Sequence, residues 1–297
     1  MTDDQPAAAT AVGPMVLAAV EQHLAPGRRL VTDALAASFL PRGPRAVVAA
    51  TRVRVVRRAL VATMERAAPG LWANLVCRKR FIDEVLEAAL PDIDAVVVLG
   101  AGLDTRACRF ADHTDIGFYE VDLPVNIRRK RTVIERALSA VPANVHLVDV
   151  DFERDDLTGT LAGRGCSADS RTLFIWEGVT QYLTADAVDA TFAHLARAAP
   201  GSRLVFTYVR REFIEGTDLY GAGSLHRRFR QRRQIWKYGI GPDDVAPLLA
   251  CHGWRLVEQA GPEYYQGHYL SPAGRRLGAS EVEWTAHAEK TADPPLR

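Results

Sequence analysis

The chain has 297 residues, of which 48% are hydrophobic and 25% charged, and its formal net charge is +1. This composition is typical of a globular protein, and the near-neutral charge predicts neither a nucleic acid nor a membrane as partner. The four cysteines form no C-x-x-C pair, and the N-terminus lacks the basic and apolar segments of a signal peptide. We therefore expect a cytoplasmic protein with reduced thiols and no metal site.

The first third of the chain is predicted to be helical. Residues 1–14 are polar and rich in alanine and are expected to form a flexible tail. Between residues 15 and 90, apolar side chains recur at helical spacing and prolines interrupt them, which indicates several helices. From residue 91 onward, short apolar runs alternate with helical stretches. The strand candidates are residues 95–99, 117–121, 145–150, 172–176 and 203–209.

Strands that alternate with helices predict right-handed crossovers and a doubly wound sheet. We expect a single α/β domain with a seven-stranded, mostly parallel sheet, in which residues 91–209 form the cofactor-binding core. Residues 210–240 are long for a connection and are predicted to form a helical cap inserted over the strand ends. Residues 241–297 would supply a C-terminal helix and edge strands, with segments 254–258 and 265–270 as candidates for a hairpin.

A glycine turn follows the first predicted strand, in the run LGAGLD at residues 99–104. Gly100 and Gly102 would let the backbone approach a ligand where a side chain would clash. In an open α/β sheet, ligands bind at the carboxyl ends of the strands. The third glycine of a dinucleotide fingerprint would fall at Thr105 and is missing, so this turn alone leaves a plain strand-to-helix connection open.

Acidic residues at the next two predicted strand ends extend this site. Glu120 and Asp122 end the second strand, where a carboxylate can accept both hydroxyls of a ribose. Asp151 ends the third strand and could accept from the exocyclic amine of adenine, while Phe152 packs on the ring. A phosphate-binding Gly-Lys-Ser/Thr run is absent from the sequence, which disfavours a nucleoside triphosphate. The three strand ends together predict a nucleoside-binding site.

Four runs of the sequence resemble the leucine carboxyl methyltransferase family, in the bacterial branch that includes polyketide O-methyltransferases of the tetracenomycin type. They are VVVLGAGLDTRACRF, FYEVDLPVNIRRK, VDVDFE and FIWEGVTQYL, and they lie in this order between residues 96 and 183. The run RKRFIDEVL at residues 78–86 resembles the family too. The resemblance implies a class I, Rossmann-like fold, with S-adenosyl-L-methionine as cofactor and S-adenosyl-L-homocysteine as product.

The same resemblance implies roles for individual residues. Arg80 would pair with the methionine carboxylate of the cofactor, with Arg78 as the competing candidate. Glu177 would lie near the methionyl amine, and Tyr182 would stand at the mouth of the transfer site as the catalytic candidate. The other implied cofactor contacts are the turn Gly100, Ala101, Gly102 and Asp104, the ribose acid Asp122 with its neighbour Leu123, and the adenine pair Asp151 and Phe152.

The predicted function is methyl transfer to a hydroxyl or carboxyl oxygen of a small, natural-product-like acceptor. A phenol would benefit from a base, for which His226 and His268 are candidates, whereas a carboxylate would need none. Methylation of a protein's C-terminal carboxylate, an NAD-dependent oxidoreductase and a cofactor-binding module without catalysis are the alternatives. The arginine-rich run at residues 226–237 is interpreted as a solvated helix face, and the oligomeric state stays open.

Overall fold

The structure, a computed structural model, describes residues 11–150 and 157–292. Its strands join in one seven-stranded sheet. They are β1 (Ala95–Leu99), β2 (Gly117–Asp122), β3 (Val145–Asp149), β4 (Thr172–Trp176), β5 (Arg203–Val209), β6 (Trp254–Ala260) and β7 (Glu283–Lys290). All five residues of β1 are buried, as expected of a central strand that is covered on both faces.

The order of strands across the sheet is β3-β2-β1-β4-β5-β7-β6. Strands β1 to β5 are parallel, and β7 runs antiparallel to both β5 and β6. Because β1 lies between β2 and β4, the direction of winding reverses at β1, and this is where open α/β sheets bind their ligands. The predicted doubly wound, seven-stranded α/β fold is confirmed.

The C-terminal edge of the sheet differs from the sequence prediction in one respect. Strand β6 forms near the predicted segment, but its partner is β7 and not residues 265–270. Pro262 begins a short helix, and residues 266–270 continue it as a π-helical turn. Proline favours the first turn of a helix because its φ angle is preset and its missing N–H is not needed there.

Helices cover both faces of the sheet. The N-terminal group consists of α1 (Val12–Glu21), α2 (Ala36–Phe39), α3 (Arg42–Ala50), α4 (Arg54–Ala67) and α5 (Leu71–Ala89). The helices between the parallel strands are α6 (Arg106–Phe110), α7 (Pro124–Leu138), α8 (Leu157–Ala162) and α9 (Ala185–Leu195). After β5 come α10 (Arg211–Glu215), α11 (Gly223–His226), α12 (Pro242–Cys251) and α13 (Pro262–Tyr265). No helix of the two described ranges is long and apolar enough to cross a lipid bilayer.

The segment between β5 and α12 forms a separate apolar cluster, called the cap cluster below. Its buried members are Ala68, Val209, Phe213, Ile214, Ala222, Phe229, Trp236 and Val282. Val209 is the last residue of β5, and Val282 immediately precedes β7. The cap cluster therefore lies at the carboxyl end of β5, next to the loop that follows β4, from which Tyr182 packs against it.

Candidate active site

The glycine turn after β1 bends sharply and lies close to the loop after β4. Gly100 has a φ of +69° and Gly102 a φ of +42°, a region that side chains other than glycine rarely adopt. A Cβ atom at Gly100 would lie 2.5 Å from Cγ2 of Val179, so a side chain at this position would clash. The N–H groups of Gly100 and Ala101 both donate to the Val121 carbonyl, at 2.8 and 3.0 Å, and fix the turn to the end of β2.

Asp122 connects this turn to the end of β2. Its Oδ2 accepts a hydrogen bond from the N–H of Gly102 at 2.7 Å. Its Oδ1 accepts from the N–H of Leu123 at 2.7 Å and from the side-chain amide of Asn126 at 2.8 Å. The carboxylate is thus oriented by three donors at the strand end. The structure brings together Gly102, Asp122 and Leu123, and their contact with a nucleoside stays a prediction.

Glu120 supports the turn from inside the protein. It is fully buried, and its Oε1 accepts a hydrogen bond from Nζ of Lys130 at 2.6 Å. The same Lys130 ammonium donates to the carbonyl of Ala101 at 3.1 Å. Burial raises the pKa of Glu120 to about 7, although Lys130 opposes this shift. Glu120 and Lys130 therefore stabilise the glycine turn, and this role of Glu120 differs from the ribose contact considered for it in the sequence.

A buried network of charged groups lies between α5, the glycine turn and the end of β4. The guanidinium of Arg106 contacts Asp104, and it donates to Asp83 and Glu177 at 2.6 Å each. Arg78 donates to Glu177 at 2.8 Å. Burial alone would raise the pKa of Glu177, but the surrounding cations hold it well below its ordinary range. Asp104 and Glu177, both predicted from the sequence, therefore meet in one ionised cluster.

The structure places the two arginines of the RKRFIDEVL run, predicted Arg80 and its competitor Arg78, in different surroundings. Arg80 donates to Glu84 at 2.8 Å, lies over the ring of Tyr269, and has a side chain that is 36% exposed. Arg78 is buried and reaches Glu177. Residues two apart on a helix point in different directions, so α5 can bring one of these arginines to the strand ends but not both. Arg78 is the arginine at the candidate site.

Tyr182 lies in a 3₁₀ turn that follows β4 and packs against the cap cluster. In that cluster, the rings of Phe229 and Trp236 stack with centroids 5.0 Å apart, and Phe213 lies 5.9 Å from Trp236. Tyr182 thus extends from the loop that carries Glu177 to an aromatic surface.

The two histidines considered as bases, His226 and His268, make contacts with residues other than Glu177. His226 is buried against Phe213, and its Nε2 edge faces Gly216, where an added Cβ would lie 3.5 Å away. His268 is exposed, stacks on Tyr264 with a centroid distance of 3.9 Å, and its Nδ1 lies 3.0 Å from the Tyr264 carbonyl oxygen. These contacts do not place either ring beside Glu177. Asp151 and Phe152 lie outside the described residues.

Several residues of the site were missed at the sequence level. Arg106 stands in the quoted LDTR run, directly after the glycine turn, and that position was a usable signal. Lys130 lies ten residues after Glu120 on α7 and could have been proposed as its partner. Glu283 accepts from Arg78 at 2.6 Å across the sheet, and no local pattern in the sequence predicts this contact.

Comparison with known proteins decides the family. The pattern of the leucine carboxyl methyltransferase family matches residues 11–196. The chain belongs to this family. An inferred S-adenosyl-L-methionine-dependent methyltransferase of Mycobacterium avium is 32% identical over 290 residues, which cover 93% of this chain and 94% of that protein. A protein of Streptomyces coelicolor with the same inferred activity is 34% identical over 183 residues, and the match spans 61% of this chain and 62% of that protein.

A solved structure supports the fold of this leucine carboxyl methyltransferase family member. The crystal structure of an inferred methyltransferase from Thermobifida fusca matches with a TM-score of 0.57. It covers 80% of this chain and 89% of that one, at 18% sequence identity. The class I methyltransferase fold is therefore confirmed, and the family and its relatives confirm S-adenosyl-L-methionine as the cofactor. The NAD-dependent alternative is set aside.

The residues at the strand ends fit this cofactor by their chemistry. S-adenosyl-L-methionine carries a carboxylate, an ammonium, a sulfonium and a ribose diol, and so it needs groups of both charges close together. Asp122 offers an oriented carboxylate for the diol, and Arg78 and Lys79 offer cations for the methionyl carboxylate. Glu177 offers an anion for the ammonium or the sulfonium. A Cβ added at Gly102 would make ordinary van der Waals contacts, at 3.5 Å to Cβ of Ala11 and 3.8 Å to the carbonyl oxygen of Gly100.

Proposed function

We propose that this protein is an S-adenosylmethionine-dependent O-methyltransferase that acts on a hydroxyl or carboxyl group of a small, polyketide-type acceptor. The observation that supports this acceptor class is the aromatic cap cluster, which contains Phe213, Phe229 and Trp236 and contacts Tyr182. Flat apolar ligands bind well against aromatic side chains that have a few polar groups nearby. An acceptor between the cap cluster and Glu177 would contact aromatic side chains on one side and a polar group on the other.

When it is bound, S-adenosyl-L-methionine supplies a methyl group on a positively charged sulfur. The residues of this chain would hold the cofactor and the acceptor in position for the transfer. The glycine turn and Asp122 would fix the nucleoside, and Arg78 and Lys79 would fix the carboxylate. Holding two reactants in line can contribute several kcal/mol, roughly 7–11 in the best cases. We assign Tyr182 to the orientation of the acceptor, because it joins the cap cluster to the loop after β4.

The partner in this proposal is a small molecule, without a role for a nucleic acid or a membrane. In the arginine-rich run, Arg227, Arg228 and Arg232 are exposed, whereas Phe229 and Trp236 are buried in the cap cluster. Single-stranded nucleic acids bind by stacking on exposed aromatic rings beside basic residues. Because the rings of Phe229 and Trp236 are buried, they are not available for stacking with bases. The exposed arginines are therefore interpreted as a solvated surface.

The proposal is tested first by calorimetric titration with S-adenosylhomocysteine and, separately, with NAD. We expect saturable binding of the former and no heat from the latter. Methyl transfer from labelled S-adenosylmethionine is then measured with aromatic alcohols, aromatic acids and a peptide that ends in a free carboxylate. Transfer to the aromatic compounds supports the proposal, and transfer to the peptide alone would replace it with protein carboxyl methylation. If S-adenosylhomocysteine binds but no acceptor is methylated, the protein would be a cofactor-binding module without catalysis.

The matched control for these assays is Asp149→Ala. Asp149 also ends a strand, but its side chain is exposed and lies 3.6 Å from Arg164, an ion pair at the surface. Surface pairs of this kind contribute roughly 0–1 kcal/mol. The variant should therefore keep both binding and transfer.

A further inference from the structure

Two buried side-chain amides near the site have polar atoms without a hydrogen-bond partner in the part of the chain that the structure describes. Asn74 on α5 is 0% exposed, and neither its Nδ2 nor its Oδ1 has a partner among the described residues. Gln181 is 4% exposed, and its Oε1 likewise has none within residues 11–150 and 157–292. Buried polar groups are nearly always hydrogen-bonded, because leaving one unpaired is costly. Each of these amides therefore calls for an explanation.

The position of Asn74 on its helix places it between the two halves of the candidate site. Residues three and four apart lie on one face of a helix, so Leu71, Asn74 and Arg78 share a face of α5. Leu71 packs against the cap cluster, and Arg78 contacts Glu177. Asn74 thus lies on the face of α5 between the residue that packs against the cap cluster and the residue that contacts Glu177.

Gln181 approaches the same place from the loop after β4. Its Nε2 donates to the carbonyl of Gly178 at 3.2 Å, which fixes the orientation of the amide and leaves Oε1 as the unpaired atom. Gly178 is next to Arg78, because a Cβ added there would lie 3.3 Å from Nη2 of that arginine. Tyr182 is the following residue. The two amides therefore flank the contact between Arg78 and Gly178.

We propose that Asn74 and Gln181 bind the methyl acceptor and that its reacting group is a hydroxyl and not a carboxylate. The inference rests on the proposed function. The unpaired atoms are two acceptors, Asn74 Oδ1 and Gln181 Oε1, and one donor, Asn74 Nδ2. A hydroxyl both donates and accepts, whereas an ionised carboxylate could only accept from Nδ2 and would leave both amide oxygens without a donor. Arg78 would be occupied by the methionyl carboxylate of the cofactor and Arg106 is already paired with buried acids, so neither is left for a second carboxylate.

The reaction balances without a base from the protein. The acceptor hydroxyl releases its proton to water, and a lone pair of the resulting oxygen forms the new O–C bond. The C–S bond breaks, and its electron pair stays on sulfur, which becomes a neutral thioether. Amide oxygens hold a hydrogen bond but do not take a proton at neutral pH, so the rate should rise with pH until the acceptor itself is ionised.

The test uses Asn74→Leu and Gln181→Leu in the full chain. If the amides serve the acceptor, Asn74→Leu should leave the melting temperature unchanged or raise it, because both amide atoms of Asn74 are unpaired among the described residues. Gln181→Leu also loses the hydrogen bond from Nε2 to the Gly178 carbonyl, so a small decrease is expected there. Binding of S-adenosylhomocysteine should stay as in the wild type. The kcat/KM for aromatic alcohols should fall by about tenfold or more in each variant. The matched control is Asn144→Leu, because the Asn144 amide donates to the carbonyls of Ala111, Thr114 and Ile116 and its loss should lower the melting temperature.

The acceptors are naphthol and naphthoic acid, followed by larger pairs in which an alcohol and an acid have the same ring system. Wild-type transfer to the alcohols, with a rate that rises with pH, supports the inference. Equal or faster transfer to the acids, or a lower melting temperature of Asn74→Leu with unchanged kcat/KM for alcohols in both leucine variants, overturns it and leaves the O-methyltransferase in place. If S-adenosylhomocysteine binds but no acceptor is methylated, both the proposed function and the inference are overturned. If S-adenosylhomocysteine does not bind, the cofactor site itself is contradicted.

Discussion

Replacing Asp122 with alanine removes a carboxylate that has a structural and a predicted ligand-binding part. In the structure it accepts from Gly102 at 2.7 Å, from Leu123 at 2.7 Å and from Asn126 at 2.8 Å, and it is 8% exposed. Hydrogen bonds to a charged group contribute about 1.5–3 kcal/mol each, and the effects are not additive. We expect Asp122→Ala to lower the free energy of unfolding by roughly 2–4 kcal/mol.

The loss of the ribose contact adds a separate effect on cofactor binding. One charged hydrogen bond to the diol is worth about 1–3 kcal/mol, so the Kd for S-adenosylhomocysteine should rise roughly 5- to 150-fold. Calorimetric titration measures this change, at a temperature well below the melting point of the variant. Asp122→Asn, which keeps the size of the side chain and one acceptor oxygen, should be more stable than the alanine variant and still bind weakly.

Asn126→Ala separates the two parts of the effect. Asn126 donates to Oδ1 of Asp122, but it is not predicted to touch the ligand. Its removal should cost about 0.5–1.5 kcal/mol of stability and change the Kd by less than about threefold. If Asp122→Ala binds S-adenosylhomocysteine as tightly as the wild type, the assignment of the ribose acid is wrong. If Asn126→Ala weakens binding as much as Asp122→Ala, the effect comes from the shape of the turn.

Three further predictions concern the arginine pair, the glycine turn and the buried acid. Arg78→Met leaves the buried carboxylate of Glu283 unpaired and removes one of the cations of Glu177, which keeps Arg106, and it should cost about 3–5 kcal/mol in denaturant unfolding, whereas Arg80→Met should cost less than about 1; equal costs would contradict the placement of these arginines. Gly100→Ala should destabilise by at least about 1–3 kcal/mol, because its φ is +69° and the new Cβ would meet Val179, and a melting temperature equal to the wild type would exclude this clash. Burial raises the pKa of Glu120 from 4.5 to about 7, so between these pH values the folded protein holds a proton that the unfolded chain releases. The stability should therefore fall by up to about 3 kcal/mol as the pH rises through this window, and Glu120→Gln should remove that slope in urea melts; an unchanged slope would refute the shift.

Much of the fold could be predicted because its signals are local. The apolar run of β1, the glycines that follow it and the helical periodicity before and after it are properties of short segments. The acids at the strand ends could be predicted for the same reason, since parallel strands bring their carboxyl ends to one edge of the sheet. Asp122 and Glu177 lie at that edge as expected.

The pairing of the C-terminal strands could not be predicted in this way. Strand β7 joins the sheet between β5 and β6, although it comes last in the described part of the chain. Residues 265–270 have strand-like composition, but Pro262 begins a helix that carries them away from the sheet edge. The position of β7 between β5 and β6 depends on pairing between segments that are far apart in the chain, which no local pattern encodes.

The amino-acid sequence by itself determined the order of the elements, the glycine turn and the kinds of charged group at the strand ends, because each depends on neighbours in the chain. The tertiary structure decided which of those groups meet. Arg78 and Arg80 are nearly identical in local context, and the packing of α5 on the sheet turns Arg78 towards Glu177 and leaves Arg80 at the surface. Glu283 reaches Arg78 from 205 residues away, and the contacts of such distant groups depend on packing that no short pattern encodes.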